Sequence, residues 1–559
     1  MLIDKDAHKA TATLAASAAI DEDAAFVALA KAVAGWRRAL GEDRVDIDRV
    51  CRSYEANCLG LKRTIPVVLR PRSEAAVQEI VKIAQTCRVP LYPISTGHNW
   101  GYGSAMPTSD RCVLVDLSDM AEILSFDAEL GLITVQPGVT QGGLQAFLDA
   151  HGHRFMVPVT GAGPSCSLVG NALERGYGIT PYADHFAAVQ SLRAVLPDGS
   201  IYRPALAEAG GTIVDGGHKW GVGPYLDGLY SQGGFGIVTA MTIALAPLPE
   251  TVEAFLVEVE HETDLEPVVE AVRDLLQKAG GVISAINIMN RLRLLSMFHA
   301  YPHDLVCPGQ ALPAVLVDRL GVEARLPRWL VLGALYGDRE VVAGLRVAVR
   351  RRLKPHSRKI TFVSRASVGV ARKLAGLIPP PFGAALARAT AVQAEVLDIL
   401  TGRPRETALR LAYWKQRLDA APQSPLDPAR DGCGIMWFSP LVPMKAEAVR
   451  DYVEIVKRTC PKFGFDPLIT LTTVTPHCFD STVPILYDLK HDGARAHDCF
   501  HALFETCQGR GYLPYRLNVE AMSLYTGSAD STYWRLVGTL KAAIDPNNII
   551  APGRYAPTL

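Results

Sequence analysis

With 559 residues, 49% of them hydrophobic and 20% charged, the chain is too long for one compact core and reads as two domains of ordinary size or one interrupted domain. Lysine plus arginine and aspartate plus glutamate both total 57, so no net field recruits nucleic acid or an anionic membrane, and small-molecule chemistry is the expectation. The eleven cysteines include no C-x-x-C pair, which argues against a zinc ribbon, a thioredoxin-like site or a disulfide framework; no metal is expected, and most of the thiols read as buried.

The opening stretch "MLIDKDAHKATATLAASAAIDEDAAF" carries an alanine-rich patch without a sustained apolar core, and no run of about eighteen apolar residues occurs that could span a bilayer. A cytoplasmic chain is expected. From residue 65 the pattern is strand, helix, strand. "PVVLRP" reads as a strand, and Ser73 caps a helix whose Val77, Ile80, Val81 and Ala84 recur at i, i+3, i+4 and i+7. "VPLYPI", "CVLVDL", "ILSFD" and "LITVQPGV" read as further strands, and "TQGGLQAFLDAHG" as a helix with a glycine stop. After Pro249 strands alternate with long helices such as "FGAALARATAVQAEVLDIL", and the tail "GYLPYRLNVEAM … DPNNIIAPGRYAP" returns to a turn-rich style. An interrupted first domain, 1–250 plus 506–559, with a second domain inserted at 251–505 explains that return. The basic run "RVAVRRRLKPHSRK", residues 346–359, reads as an exposed helix end rather than a nucleic-acid patch.

Three segments are unusually rich in glycine: "YPISTGHNWGYGSAMP" (92–107), "VTGAGPSCSLVGNALERGYGITPYADHF" (159–186) and "GVGPYLDGLYSQGGFGIVT" (221–239). Bare N–H groups in tight turns make anion-binding concavities, and a diphosphate is their usual guest. Neither G-x-x-x-x-G-K-[ST] nor G-x-G-x-x-G occurs, so a dinucleotide here does not bind by Rossmann rules.

The order of "PISTGHNWGYGSAMP", "LVGNALERGYGITPYADHF", "GVGPYLDGLYSQGGFGIVT", "GIMWFSPLVP", "PYR" and "DPNNIIAPGRY" resembles the vanillyl-alcohol oxidase and p-cresol methylhydroxylase family of FAD-linked oxidases, from about residue 60 to the C-terminus. The resemblance implies an α+β fold: a two-subdomain FAD-binding domain with an inserted α+β cap over the flavin ring. It assigns Ser95, Thr96, Gly97, His98, Asn99 and Gly101 to the turn around the FAD diphosphate. Cys166, Gly170 and Asn171 in the second segment, Gly236, Ile237 and Val238 in the third, and Arg554 in the tail complete the expected cofactor set.

His98 departs from the nearest relatives; "TGHN" is similar to the G-G-H segment of berberine bridge enzyme-like oxidases, whose histidine carries the flavin covalently. Cys166 stands where the bicovalent members of that branch place their second, thioether bond. The resemblance therefore implies FAD attached through His98 and Cys166, nucleophiles suited to an electron-poor ring. His477 in "TVTPHCFDS" is the competing attachment site. Tyr102, Tyr515 and Arg516 match the positions that hold a substrate phenolate, chemistry that an always-charged guanidinium and phenolic donors suit. Asp184 in "TPYADHF" matches the family's carboxylate near flavin N5, an acid or base toward the oxidised substrate. Neighbouring His185 faces either into the site or away. Trp437 and Phe438 read equally as cavity lining or as cap packing.

The implied activity is oxidation of a para-substituted phenol: hydride passes from the benzylic carbon to the flavin, a quinone methide forms, and dioxygen is reduced to hydrogen peroxide. The expected partners are a small phenol or alcohol and dioxygen, with a possible homodimer and neither nucleic acid nor membrane. The alternatives are a berberine bridge-type oxidase of an alcohol or natural product, a dehydrogenase with an electron-transfer partner, and a flavin-binding scaffold without activity.

Overall fold

The computed structural model describes residues 23–557 except 48, 380, 419–420 and 528–529. The alanine-rich opening stretch up to residue 22 lies outside the described residues. No described helix is long and apolar enough to cross a membrane.

A four-stranded sheet runs Val45–Ile47, Val67–Leu69, Val113–Asp116, Leu91–Ile94 across its width, and the last three strands are parallel. Helix Glu74–Cys87 covers it. Ser73 accepts a hydrogen bond from the Ala76 amide, and Val77, Ile80, Val81 and Ala84 are wholly buried, so the apolar stripe read from the sequence is the packed face. Each of the three larger side chains contributes about 1.5–3 kcal/mol by leaving water. A five-stranded antiparallel sheet follows, in the order Ile123–Asp127, Leu132–Val135, Ile237–Ala244, Val189–Val195, Ile201–Tyr202. Helix Gln141–His151 packs with it, starting at Thr140, whose side chain accepts from the Gly143 amide, and ending at Gly152 in the left-handed conformation.

The third sheet has eight strands drawn from 251–488. Its main path is Lys359–Ser364, Thr251–Val259, Trp329–Gly337, Asn287–Asn290, Thr470–Thr475, Cys478–Asp488, Cys433–Phe438, with Leu441–Pro443 paired to Cys478–Asp488. Register divides its residues between two faces. Val331, Ile288, Leu471 and Phe479 enter the main hydrophobic core. Their neighbours Leu332, Asn287, Thr472 and Asp480, which are cross-strand partners of one another in that order, face the other way and line a cavity.

The tail returns to the first sheet. Leu91 exchanges backbone hydrogen bonds with Ile549 and Ala551, both 2.7 Å. Buried Lys541 donates to Asp545, Ile550 O and Gly234 O, tying the tail to the third glycine segment. Of the two ambiguous aromatics, Trp437 lines the cavity and Phe438 packs in the core against Phe500. The basic run lies at the end of helix Arg339–Leu353, where Arg346 and Arg350 cover the Phe362 ring and Arg346 pairs with Glu253.

Candidate active site

The three glycine-rich segments, the tail and the eight-stranded sheet converge on one cavity of about 460 Å³. Ser95, Thr96, Gly97, His98 and Asn99 form one wall, following the strand Leu91–Ile94. Gly97 holds φ +70, and a Cβ there would come within 3.2 Å of Ala105. Among the described residues, no acceptor meets the backbone N–H of Thr96, Gly97, His98 or Asn99. Four successive free amides in a concave turn are a ready anion cradle. Gly170, on the short helix Leu168–Leu173, closes against this turn: a Cβ there would lie 2.3 Å from Ser95 Oγ. Cys166, Asn171, Gly236, Val238 and Arg554 also line the cavity. Ile237 is buried on the opposite side of its strand, in the main core. Gly101 does not line the cavity; its φ of +77 and missing Cβ seat the Trp437 ring, whose Nε1 donates to Trp100 O at 3.1 Å. A cavity with an amide cradle at one wall and Arg554 beside it fits FAD.

Tyr102, Tyr515 and Arg516 meet at one part of the cavity. The Arg516 guanidinium lies 4.1 Å from the Tyr102 ring centre and donates to Asn99 Oδ1 at 2.5 Å. Its Nε faces Glu174 at 3.4 Å, an ion pair without hydrogen-bond geometry. Glu174 also pairs with Arg554, whose guanidinium donates to the Tyr92 hydroxyl. Burial works to raise the Glu174 pKa, but Arg554 and then Arg516 hold it below the usual carboxylate value. One carboxylate against two guanidiniums leaves a positive charge uncompensated within the trio. Burial pushes Tyr102 up to about 12 against the pull of Arg516, and raises Tyr515 well above the ordinary phenol. Both hydroxyls therefore stay protonated and serve as donors.

The sequence reading missed the cavity's second carboxylate. Asp480 is fully buried, and neither of its oxygens has a partner in hydrogen-bond geometry among the described residues, although the Tyr177 phenol approaches it. Burial raises its pKa to about 7, with Tyr177 and Arg516 pulling the other way. A signal was present in the sequence: "HCFDSTVPILYD" is an apolar strand with an aspartate set inside it, a residue depleted from strand interiors. Asp184 is not brought to the cavity. It is exposed, and its carboxylate caps the turn by accepting from the Ala187 amide. His185 is buried away from the cavity beside Asn171, and burial alone lowers its pKa to about 4.

His98 lines the cavity, stacked on Trp100 at 4.7 Å with Nδ1 3.2 Å from Ser165 O, one residue from Cys166. Burial lowers its pKa, so the imidazole is neutral. The buried Cys166 thiol is pushed up instead, which keeps it protonated. His477 is exposed at the tip of the hairpin joining Thr470–Thr475 to Cys478–Asp488, outside the cavity.

Residues 65–204 match the model of an FAD binding domain. Over 531 residues the chain is 36% identical to 1'-carboxy-chondrochloren decarboxylase of Chondromyces crocatus, covering 94% of this chain and 97% of that one. It is 28% identical over 480 residues to the 4-cresol dehydrogenase [hydroxylating] flavoprotein subunit of Pseudomonas putida, covering 86% and 85% of the two chains. The fold superposes on p-cresol methylhydroxylase crystallised with substrate bound, with a TM-score of 0.83 and 26% identity over 95% of this chain and 97% of the other.

Proposed function

Because the chain belongs to the vanillyl-alcohol oxidase and p-cresol methylhydroxylase family of FAD-dependent oxidoreductases, we propose that it oxidises a para-substituted phenol at the benzylic carbon. The observation that carries this reading is the cluster of Tyr102, Tyr515 and Arg516 in the cavity whose other wall is the amide cradle. A phenol entering that cluster meets two protonated hydroxyls and a permanent cation, which favour its anion. When bound, FAD supplies the acceptor for a hydride leaving the benzylic carbon, which leaves a p-quinone methide, and dioxygen regenerates the oxidised cofactor as hydrogen peroxide forms.

The free amides of Thr96 to Asn99 hold the diphosphate, and Arg554 adds a cation nearby. Asp480, not Asp184, takes the acid–base role: with a pKa near 7, it accepts the proton of a water adding to the quinone methide. His98 is the proposed covalent attachment, since a neutral imidazole has the lone pair that addition to the ring requires. Cys166 is proposed as a second, slower attachment, because a protonated thiol must first lose its proton.

A second reading, in which the oxidised substrate loses carbon dioxide, is favoured by the identity to the Chondromyces decarboxylase along nearly its whole length. An oxygen-electrode screen of 4-alkylphenols and benzylic alcohols tests the main proposal. Oxygen uptake with peroxide formation is expected with the phenols; uptake with non-phenolic alcohols alone contradicts it.

A further inference from the structure

Four cationic side chains line the cavity: Arg293, Arg405, Arg516 and Arg554. Three are answered by carboxylates. Arg516 and Arg554 share Glu174, and Arg405 is held by Asp398. Arg293 has no carboxylate partner among the described residues; its guanidinium meets only Ser296 Oγ, at 3.0 Å. Enough protein surrounds it that burial lowers its pKa to about 10, and no neighbouring acid opposes the shift. Arg293 is half-buried and faces the cavity, so an anion that enters meets a cation with no carboxylate to compete for it.

Its placement is fixed by the sheet. Asn290 ends the strand Asn287–Asn290 and caps helix Arg291–Phe298, its side chain accepting from the Arg293 amide. Arg293 therefore stands in the first turn after the strand whose Asn287 and Met289 line the cavity. Asn287 pairs through Thr472 to Asp480 across two strand spacings, roughly 10 Å. Met289 and Met297, each four residues from Arg293, line the same cavity, as do Leu332 and the polar Asn287, Thr470 and Thr472.

We propose that Arg293 binds a carboxylate of the substrate, and that this carboxylate sits on the carbon next to the benzylic one, the position from which the carbon dioxide loss suggested by the likeness to a decarboxylase can follow hydride removal. The inference rests on the phenol reading. The geometry of an arginine fork suits a carboxylate bidentately and orients the bond that joins it to the side chain. In such a substrate, hydride loss from the benzylic carbon to FAD removes two electrons and gives the p-quinone methide. The bond to the carboxylate then breaks and carbon dioxide leaves. The electron pair of that bond becomes the new side-chain double bond as the ring regains its phenolate. FAD is reduced once per turnover and dioxygen reoxidises it, so the product is a 4-hydroxystyryl compound plus carbon dioxide and hydrogen peroxide. The negative charge moves from the carboxylate to the phenolate oxygen, where Tyr102, Tyr515 and Arg516 are proposed to hold it.

The test uses holoenzyme and two pairs of probes. 4-Hydroxycinnamate and its amide lack a benzylic sp3 hydrogen and report binding alone by calorimetry; 3-(4-hydroxyphenyl)propanoate and 4-propylphenol report turnover. Wild type should bind the acid at least about tenfold tighter than the amide, Arg293→Gln should lose that preference, and Arg293→Lys should keep part of it. 3-(4-Hydroxyphenyl)propanoate should yield 4-vinylphenol and carbon dioxide in equal amounts. If Arg293→Gln does not fold, Arg293→Met takes its place; an acid preference that survives the substitution overturns the inference. Oxidation of 4-propylphenol with no preference for the acid overturns this inference alone. Failure of every phenol to reduce the flavin overturns the phenol reading and this inference with it.

Discussion

Arg516 sits 4.1 Å from the centre of the Tyr102 ring and donates to Asn99 Oδ1. Asn99 and Tyr102 belong to one glycine-rich turn, whose preceding residues carry the free amides. The residues proposed for substrate and those proposed for cofactor are thus built on a single loop, with Arg516 as the clasp from the tail. A change at one is felt at the other through a hydrogen bond and a cation–ring contact.

Replacing the clasp separates the two roles. Arg516→Lys keeps a charge but loses the planar fork, and Arg516→Ala loses both. Both variants should retain flavin, because Arg554 and the amide turn remain. Their kcat/KM for phenols should fall on the order of 10²–10³-fold, as for loss of one oxyanion-stabilising group. Steady-state kinetics with flavin content measured alongside checks this.

Asp480 gives the account a pH signature. Its folded pKa is about 7 against an ordinary 3.8. As the proposed base it works when ionised, so kcat for hydroxylated product should rise between about pH 6 and 8 with a midpoint near 7. Asp480→Asn should flatten that limb. Stability runs the opposite way. A raised folded pKa favours the folded state most below about pH 4, and the contribution is lost as pH rises through about 7. Asp480→Asn should therefore be more stable than wild type above pH 7, on the order of 4 kcal/mol, with the difference fading toward pH 4. Thermal melts across that range measure it.

The linkage is read by peptide mapping. Acid-precipitated protein should stay yellow. His98→Ala should lose most of the covalent flavin and Cys166→Ala the smaller share, while the double variant should release it all. Flavin on a peptide containing His477 alone contradicts the assignment.

Gly101→Ala tests the seat of Trp437. The added Cβ would lie 2.4 Å from Trp437 Cδ1 at a backbone φ of +77. It should cost about 1–3 kcal/mol by overpacking, seen as a lower melting temperature, and displace Tyr102 enough to raise KM for phenols.

Local patterns were legible in the sequence because local physics makes them. The Ser73 cap and the Val77, Ile80, Val81, Ala84 stripe are the helix and its buried face. The first glycine segment is a turn because Gly97, Gly101 and Gly103 all hold positive φ. Asp480 was passed over although it lies three residues beyond His477. Which face it presents is set by pairing Cys478–Asp488 with a strand whose other neighbour, Asn287–Asn290, lies nearly two hundred residues earlier. No local spacing carries that register. Asp184 misled for the complementary reason: an aspartate in a glycine-rich turn is as well suited to capping a backbone amide, which is what it does. Arg293 was invisible because an unpaired cation differs from a paired one only in its partners.

The most direct measurement is anaerobic mixing of the holoenzyme with 4-ethylphenol and, separately, with its methyl ether, following the flavin absorbance. The two differ only in the ability to form the anion that Tyr102, Tyr515 and Arg516 are proposed to hold. Rapid bleaching by the phenol and none by the ether is the predicted result; equal bleaching by both would contradict oxidation through a bound phenolate.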